Sequence, residues 1–184
     1  MAKRQSLDRV WAIIETVGVC MLTTRAGGGL RARHVEARPH RDQGIIWFVT
    51  DLRSAKEHEI ERDSEVALVF IDHDAKAYLS LTARAQVRQD RAKAAAIWKR
   101  TDNVWWRGPD DPNVCLLRVM PITAELWDGP ASKAVAIFEF AKARLTGLKP
   151  RLGENRKVTV PMRQERAKRR MRSDRAHSRR RART

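Results

Sequence analysis

Cysteine is scarce in this sequence of 184 residues: Cys20 and Cys115 are its two. Both sit in apolar runs, GVCML and NVCLLRV. A disulfide framework needs more cysteines in a smaller, secreted chain, so two reduced core thiols are expected. No apolar stretch approaches the roughly 20 residues that span a bilayer. The opening MAKRQSLDRVWAII lacks the h-region and cleavage site of a secretory signal. A soluble cytoplasmic protein with no membrane contact is expected. The histidines at 34, 40, 58, 73 and 177 lack the spacing of a metal site, so no zinc centre is expected. Acid is scarce in one place. From Pro161 to Thr184, eleven Arg or Lys face only Glu165 and Asp174, giving that segment +9 of a total of +16 and leaving +7 for the other 160 residues.

What is present reads as one domain with a core of its own. Leu7, Val10, Trp11, Ile14 and Val17 recur at helical spacing, with Ser6 as the expected N-cap. VCMLTT (19–24), LRARHVEAR (30–38) and GIIWFVT (44–50) read as strands, the first two joined by a glycine turn at AGGG (26–29). A helix from Ser54 to about Arg62 follows, then strands EVALVFID (65–72) and AKAYLSLTARAQVRQD (75–90). Asp90 should cap the helix RAKAAAIWKR, and RGPDDPN (107–113) breaks the pattern before a sixth strand, CLLRVMPITAELWD (115–128), bent at Pro121. PASKAVAIFEFAKARLTG (130–147) reads as a helix, with an extended arm and the basic tail beyond it. Six mostly antiparallel strands with short connections, plus a few helices, predict a small, mainly β (α+β) barrel with helices outside.

One stretch carries unusual charge. In WFVTDLRSAKEHEIERD (47–63), Ser54 and Glu57 have the spacing of a capping box. Arg53 and Lys56 place cations where a helix start favours anions. Such cations either point into water or help seat an anion. A phosphate there would accept from Ser54, Lys56 and the unpaired helix N–H groups. Arg33 and Arg38, on the adjacent hairpin strand, could form another wall.

Three segments, R-H-V-E-A-R (33–38), W-F-V-T-D-L-R-S-A-K-E-H-E-I (47–60) and E-V-A-L-V-F (65–70), together resemble the core of the pyridoxamine 5′-phosphate oxidase-like flavoproteins. G-P-D-D-P (108–112), L-L-R-V-x-P (116–121) and A-E-L-W-D (124–128) are similar to the general stress protein 26-like branch. The resemblance spans about residues 6 to 160. It implies a six-stranded antiparallel split β-barrel over 1–160, with 161–184 as a basic tail, and FMN as the cofactor.

Position by position, the resemblance places Arg33 and Lys56 on the FMN phosphate, with Ser54 at the helix start. It places Val35 along the flavin ring, with His34 beside it, and Val49 and Thr50 around the ribityl chain and ring. Tyr78 falls where the oxidases carry a glutamine near the ring. Trp105 and Trp127 are the candidate lids, because the adjacent Trp105 and Trp106 cannot both face inward on a regular strand. Trp11, Trp47 and Trp98 are expected in the core. Two departures stand out. Ala55 replaces the arginine that the oxidases place before the phosphate lysine, so Arg53 or Arg38 would have to supply that charge. Arg33-His34-Val35 stands where the stress-protein branch often has R-P-M.

The resemblance further implies an oxidoreductase with a small redox substrate or nicotinamide donor, acting as a homodimer with flavin at the interface. The substrate-holding arginine and histidine segment of true pyridoxamine phosphate oxidases has no counterpart in GLKPRLGENRKVTV. Related split barrels that hold a deazaflavin or haem are the alternatives for the ligand. Residues 161–184 read as a solubilising extension or, alternatively, as a sequence-independent contact with nucleic-acid phosphates.

Overall fold

The computed structural model describes residues 2–129, 139, 142–144, 148 and 154–160. Most of the helix expected over 130–147, and the whole basic tail, lie outside the described residues. Among the described residues, the helices α1 (Ala2–Val17), α2 (Ala55–Arg62) and α3 (Arg91–Ile97) accompany eight strands. The strands are β1 (Val19–Ala26), β2 (Gly29–Glu36), β3 (Arg38–His40), β4 (Ile45–Asp51), β5 (Glu65–Asp72), β6 (Ala77–Arg88), β7 (Val114–Asp128) and β8 (Glu154–Thr159). They form one antiparallel sheet in the order β2-β1-β5-β6-β7-β4-β3, with β8 added beside β7.

The sheet does not close. β2 and β3 are nearly continuous in sequence yet pair with β1 and β4 at opposite ends of the order. The chain crosses that seam at the buried Ala37, whose N–H donates to the Gly18 carbonyl. This is the split of the barrel. It also explains why eight strands appear where six are expected: the segment 30–38 breaks at Ala37, and the arm over 154–159 becomes β8.

Alternation sets the interior. Along β6, Ala77, Leu79, Leu81, Ala83 and Ala85 turn inward, and their neighbours face out. Phe48, Phe70 and Leu22 meet them in the main core, with Trp11, Ile13 and Ile14 of α1 packed in. α1 starts four residues before Ser6, because Ala2-Lys3-Arg4-Gln5 all favour helix; Ser6 is therefore a buried residue within α1, not its cap. A second apolar cluster lies on the other face of β4. Ile45, Trp47, Ala94, Ile97, Val114 and Leu116 build it, and Trp98 and Trp106 pack against it. Among the described residues no helix is long and apolar enough to cross a membrane.

Local signals behave as their chemistry directs. Gly27 and Gly28, both at positive φ (59° and 94°), turn β1 into β2. Asp90 accepts from the Lys93 N–H and caps α3. β7 runs through Pro121 with a register shift opposite Thr82 and Ala83, where a missing N–H is tolerated.

Candidate functional site

A cleft of about 550 Å³ opens at the seam between β2 and β4. That size suits a cofactor or drug-sized ligand. β2 brings Arg33, His34, Val35 and Glu36, β4 brings Val49, Thr50 and Asp51, and α2 brings Lys56. Val19, Arg38, Asp102, Trp105 and Trp106 complete the lining. β2 ends the strand order, so among the described residues its outer edge has no strand partner for its main-chain N–H and C=O groups.

Seven of the ten expected site residues line this cleft: Arg33, His34, Val35, Val49, Thr50, Lys56 and Trp105. Ser54 stands directly behind, its Oγ accepting from Lys56 Nζ at 2.6 Å. Tyr78 and Trp127 lie elsewhere. They are cross-strand neighbours on the outer face of β6 and β7, with ring centroids 5.2 Å apart. The two adjacent tryptophans divide as their geometry requires: Trp106 packs beside Trp98 at 6.1 Å, and Trp105 is 77 % exposed.

Each cation at the start of α2 meets a carboxylate. Arg53 is clasped by Asp51, which accepts from its backbone N–H (2.8 Å), Nε (3.1 Å) and Nη2 (2.9 Å). That guanidinium pushes the Asp51 carboxyl down to about 2. Arg53 is exposed and is not among the residues lining the cleft, whereas Arg38 is. Lys56 Nζ lies 3.7 Å from a Glu57 carboxylate oxygen.

Glu57 is the residue that sequence reasoning placed wrongly. The capping box predicts that the Ser54 side chain accepts from the helix backbone, but no such cap bond forms. Instead the Ser54 hydroxyl donates to Glu57 Oε2, Thr50 Oγ1 donates to Oε1 at 3.0 Å, and Cys115 Sγ lies 3.8 Å from Oε1. Glu57 is 2 % exposed. Glu57 and the buried Ile60, three residues apart, share the inward face of α2, which their spacing alone does not single out. Beside it, Glu59 accepts from Thr24 Oγ1 (2.5 Å), Arg33 Nη2 (2.6 Å) and Arg31 Nη1 (2.7 Å). Arg33 also donates to Thr24 Oγ1 at 2.7 Å. Arg33 and Lys56 thus each have a carboxylate partner on α2.

Arg38 lines the cleft and is 6 % exposed. Its Nη2 reaches Asp102 at 2.9 Å and its Nη1 reaches Glu36 at 2.9 Å, while its buried Nε has no partner among the described residues. Lys99 adds a second cation on Glu36 at 2.7 Å. Burial opposes the ionised form of Glu36, but the Lys99 and Arg38 cations outweigh it and lower its pKa.

On the outer face of the sheet, Val19, Met21, Ile71 and Tyr78 are exposed apolar side chains. Ile71 lies beside Tyr78, and Tyr78 beside Trp127, across β5, β6 and β7. Val19 also lines the cleft, so this apolar strip reaches its rim.

The profile of the family described as pyridoxamine 5′-phosphate oxidase like matches residues 5–151. No curated protein matches the chain. Among solved structures, a candidate general stress protein 26 from Jannaschia sp. CCS1 shares 28 % identity, covering 84 % of this chain and 98 % of that one, with a TM-score of 0.66. A general stress FMN/FAD binding protein from Xanthomonas citri shares 22 %, covering 70 % and 92 %, with a TM-score of 0.64. A pyridoxamine 5′-phosphate oxidase-related, FMN binding protein from Nostoc punctiforme shares 16 %, covering 68 % and 83 %, with a TM-score of 0.56. At their identities the last two are likenesses of fold.

Proposed function

Because this chain belongs to the pyridoxamine 5′-phosphate oxidase-like family, we propose that it is a cytoplasmic flavoprotein whose seam cleft binds FMN and serves an oxidoreduction. The observation that carries this reading is that Arg33 and Lys56, from two different elements, line one cleft at a sheet edge. Cations, hydroxyls and the N-terminus of α2 suit a phosphate. Val35 and Val49 offer apolar contact to a ring, and the open edge of β2 offers main-chain donors and acceptors to its polar rim. The buried, unpartnered Nε of Arg38 is a donor in want of an acceptor at the cleft wall. These residues fit the cofactor.

In this reading Arg33 and Lys56 hold the phosphate oxygens, and Ser54 steadies the Lys56 ammonium. Thr50 borders the ribityl chain, and the exposed indole of Trp105 shields the open side of the ring. Bound FMN supplies the hydride or single-electron chemistry, so the protein need provide only orientation and electrostatics. The cleft accordingly needs no acid–base pair of side chains. The substrate is a small redox molecule or a nicotinamide donor.

The same reading extends to a homodimer. A second copy seated on the strip from Val19 to Trp127 would cover apolar surface that is otherwise wet, and it would adjoin the cleft. Tyr78 and Trp127 would then reach a flavin from the partner copy.

The test uses the purified full chain. FMN should bind saturably, with quenched flavin fluorescence, and native mass spectrometry should find the mass of FMN in place of a deazaflavin or haem. Arg33→Met and Lys56→Met should each weaken FMN binding by about tenfold, the scale of one charge-assisted contact. A colourless protein with no quenching at any FMN concentration would remove the proposal.

A further inference from the structure

Two of the cations that line the cleft, Arg33 and Lys56, are not free charges, because each meets a carboxylate of α2. Its Lys56 stands 3.7 Å from the carboxylate of the next residue, Glu57, which is 2 % exposed. An acid so deeply buried has a purpose or a partner, and Glu57 has several partners. The Ser54 and Thr50 hydroxyls donate to it, Lys56 lies beside it, and Cys115 of β7 approaches it from behind. It therefore consumes the donors that a phosphate in this cup would want: the Ser54 hydroxyl proton and part of the Lys56 charge. Glu59 does the same to Arg33, sharing itself between Arg33 and the exposed Arg31. A buried carboxylate 3.7 Å from the Lys56 ammonium also repels an anion that this ammonium would hold, and salt screens a buried charge poorly.

We propose that Glu57 is a specificity-determining residue of the cleft: it offsets part of the Lys56 charge, so the phosphate of a flavin is held less tightly than Arg33 and Lys56 alone would hold it. This inference rests on the flavin reading above. It implies that the FMN phosphate contributes less to affinity in the natural chain than it would without this carboxylate. It also implies that the missing arginine at position 55 and the carboxylate at position 57 act in the same direction. Both lower the positive charge of the cup.

The experiment compares FMN with riboflavin, which lacks the phosphate, on the full chain and on Glu57→Gln. Glutamine keeps the size and an oxygen acceptor but removes the charge. The expected result is that Glu57→Gln binds FMN about tenfold more tightly or better, as relief of one close like-charge contact implies. Riboflavin affinity should change by less than about twofold, since it has no charge to repel. FMN binding by the natural chain that is unchanged or weakened in Glu57→Gln overturns the role of Glu57 and leaves the flavin reading standing. Equal tightening of both flavins overturns it as well. Loss of all flavin binding in both proteins overturns both readings. Should Glu57→Gln fail to fold, the salt dependence of the natural chain decides. A change in FMN affinity below about threefold between about 0.05 M and about 0.5 M salt supports a charge-offset cup, and a fall of more than about tenfold contradicts it.

Discussion

Lys56 was legible in the sequence as a cation out of place at a helix start, and Arg33 as its distant partner. The resemblance named both, and both line the cleft. What the sequence hid was the set of groups behind them. Glu57 looks like an ordinary capping glutamate until the fold buries it, because i, i+3 spacing alone does not say which face of so short a helix turns inward. The same burial governs the thiols. Desolvation pushes both Cys20 and Cys115 up to about 12, with Glu57 adding to the shift at Cys115. Neither should react with a thiol reagent at about pH 8 until the chain unfolds, since the thiolate is the nucleophile; rapid labelling of the folded protein would contradict this. Asp51 gives the opposite case. Held down to about 2 by Arg53, it contributes stability above the ordinary carboxylate range, and that contribution is lost as pH falls through about 2. An NMR titration of the folded chain should place its inflection near 2, not near the ordinary value of about 4.

Periodicity made most elements readable. The strict alternation of β6 and the apolar run of β4 gave strands within a residue or two of their observed ends, and Asp90 and the glycine turn worked as local rules require. The misreadings share a cause: pairing partners are not local. Nothing within residues 30–40 says that the chain changes neighbours at Ala37, and nothing in the arm over 154–159 says that β7 has room beside it. The seam that results is held by a buried pair. Arg38 of β3 meets Asp102 of the 3₁₀ helix Arg100–Val104, which leads directly into Trp105. Asp102→Ala should leave the buried Arg38 paired with Glu36 alone and its Nη2 unsatisfied, costing about 1–3 kcal/mol by urea unfolding, the range for a buried donor left without its partner; a loss below about 0.5 kcal/mol would mean that water replaces the carboxylate. Gly129, after β7, is fixed by close approach. A Cβ there would stand 2.7 Å from the Lys76 carbonyl oxygen, which already accepts from the Gly129 N–H. Gly129→Ala should therefore cost about 1–3 kcal/mol in the same assay.

At the scale of the molecule, an open sheet that nearly closes leaves one seam, and the seam is where ligand chemistry gathers. The family could be named from short motifs in the right order, while the eighth strand and the carboxylates behind the cup needed the fold. The apolar strip from Val19 to Trp127 predicts that the chain sediments as a dimer, and that Tyr78→Glu shifts it toward monomer by placing a charge in the apolar strip. The basic segment makes a separate prediction. Truncation after Val160 should leave flavin binding unchanged, and it should abolish any salt-dependent binding of nucleic acid, whose counterion release needs those eleven cations. The central claim, that Arg33 and Lys56 jointly hold the phosphate of a flavin, is tested most directly by phosphorus NMR of FMN. The account predicts that the FMN phosphorus resonance shifts and broadens when the full chain is added, and returns to its free position with the Arg33→Met, Lys56→Met double variant. A resonance unmoved by the natural chain, even as the flavin fluorescence is quenched, would contradict it.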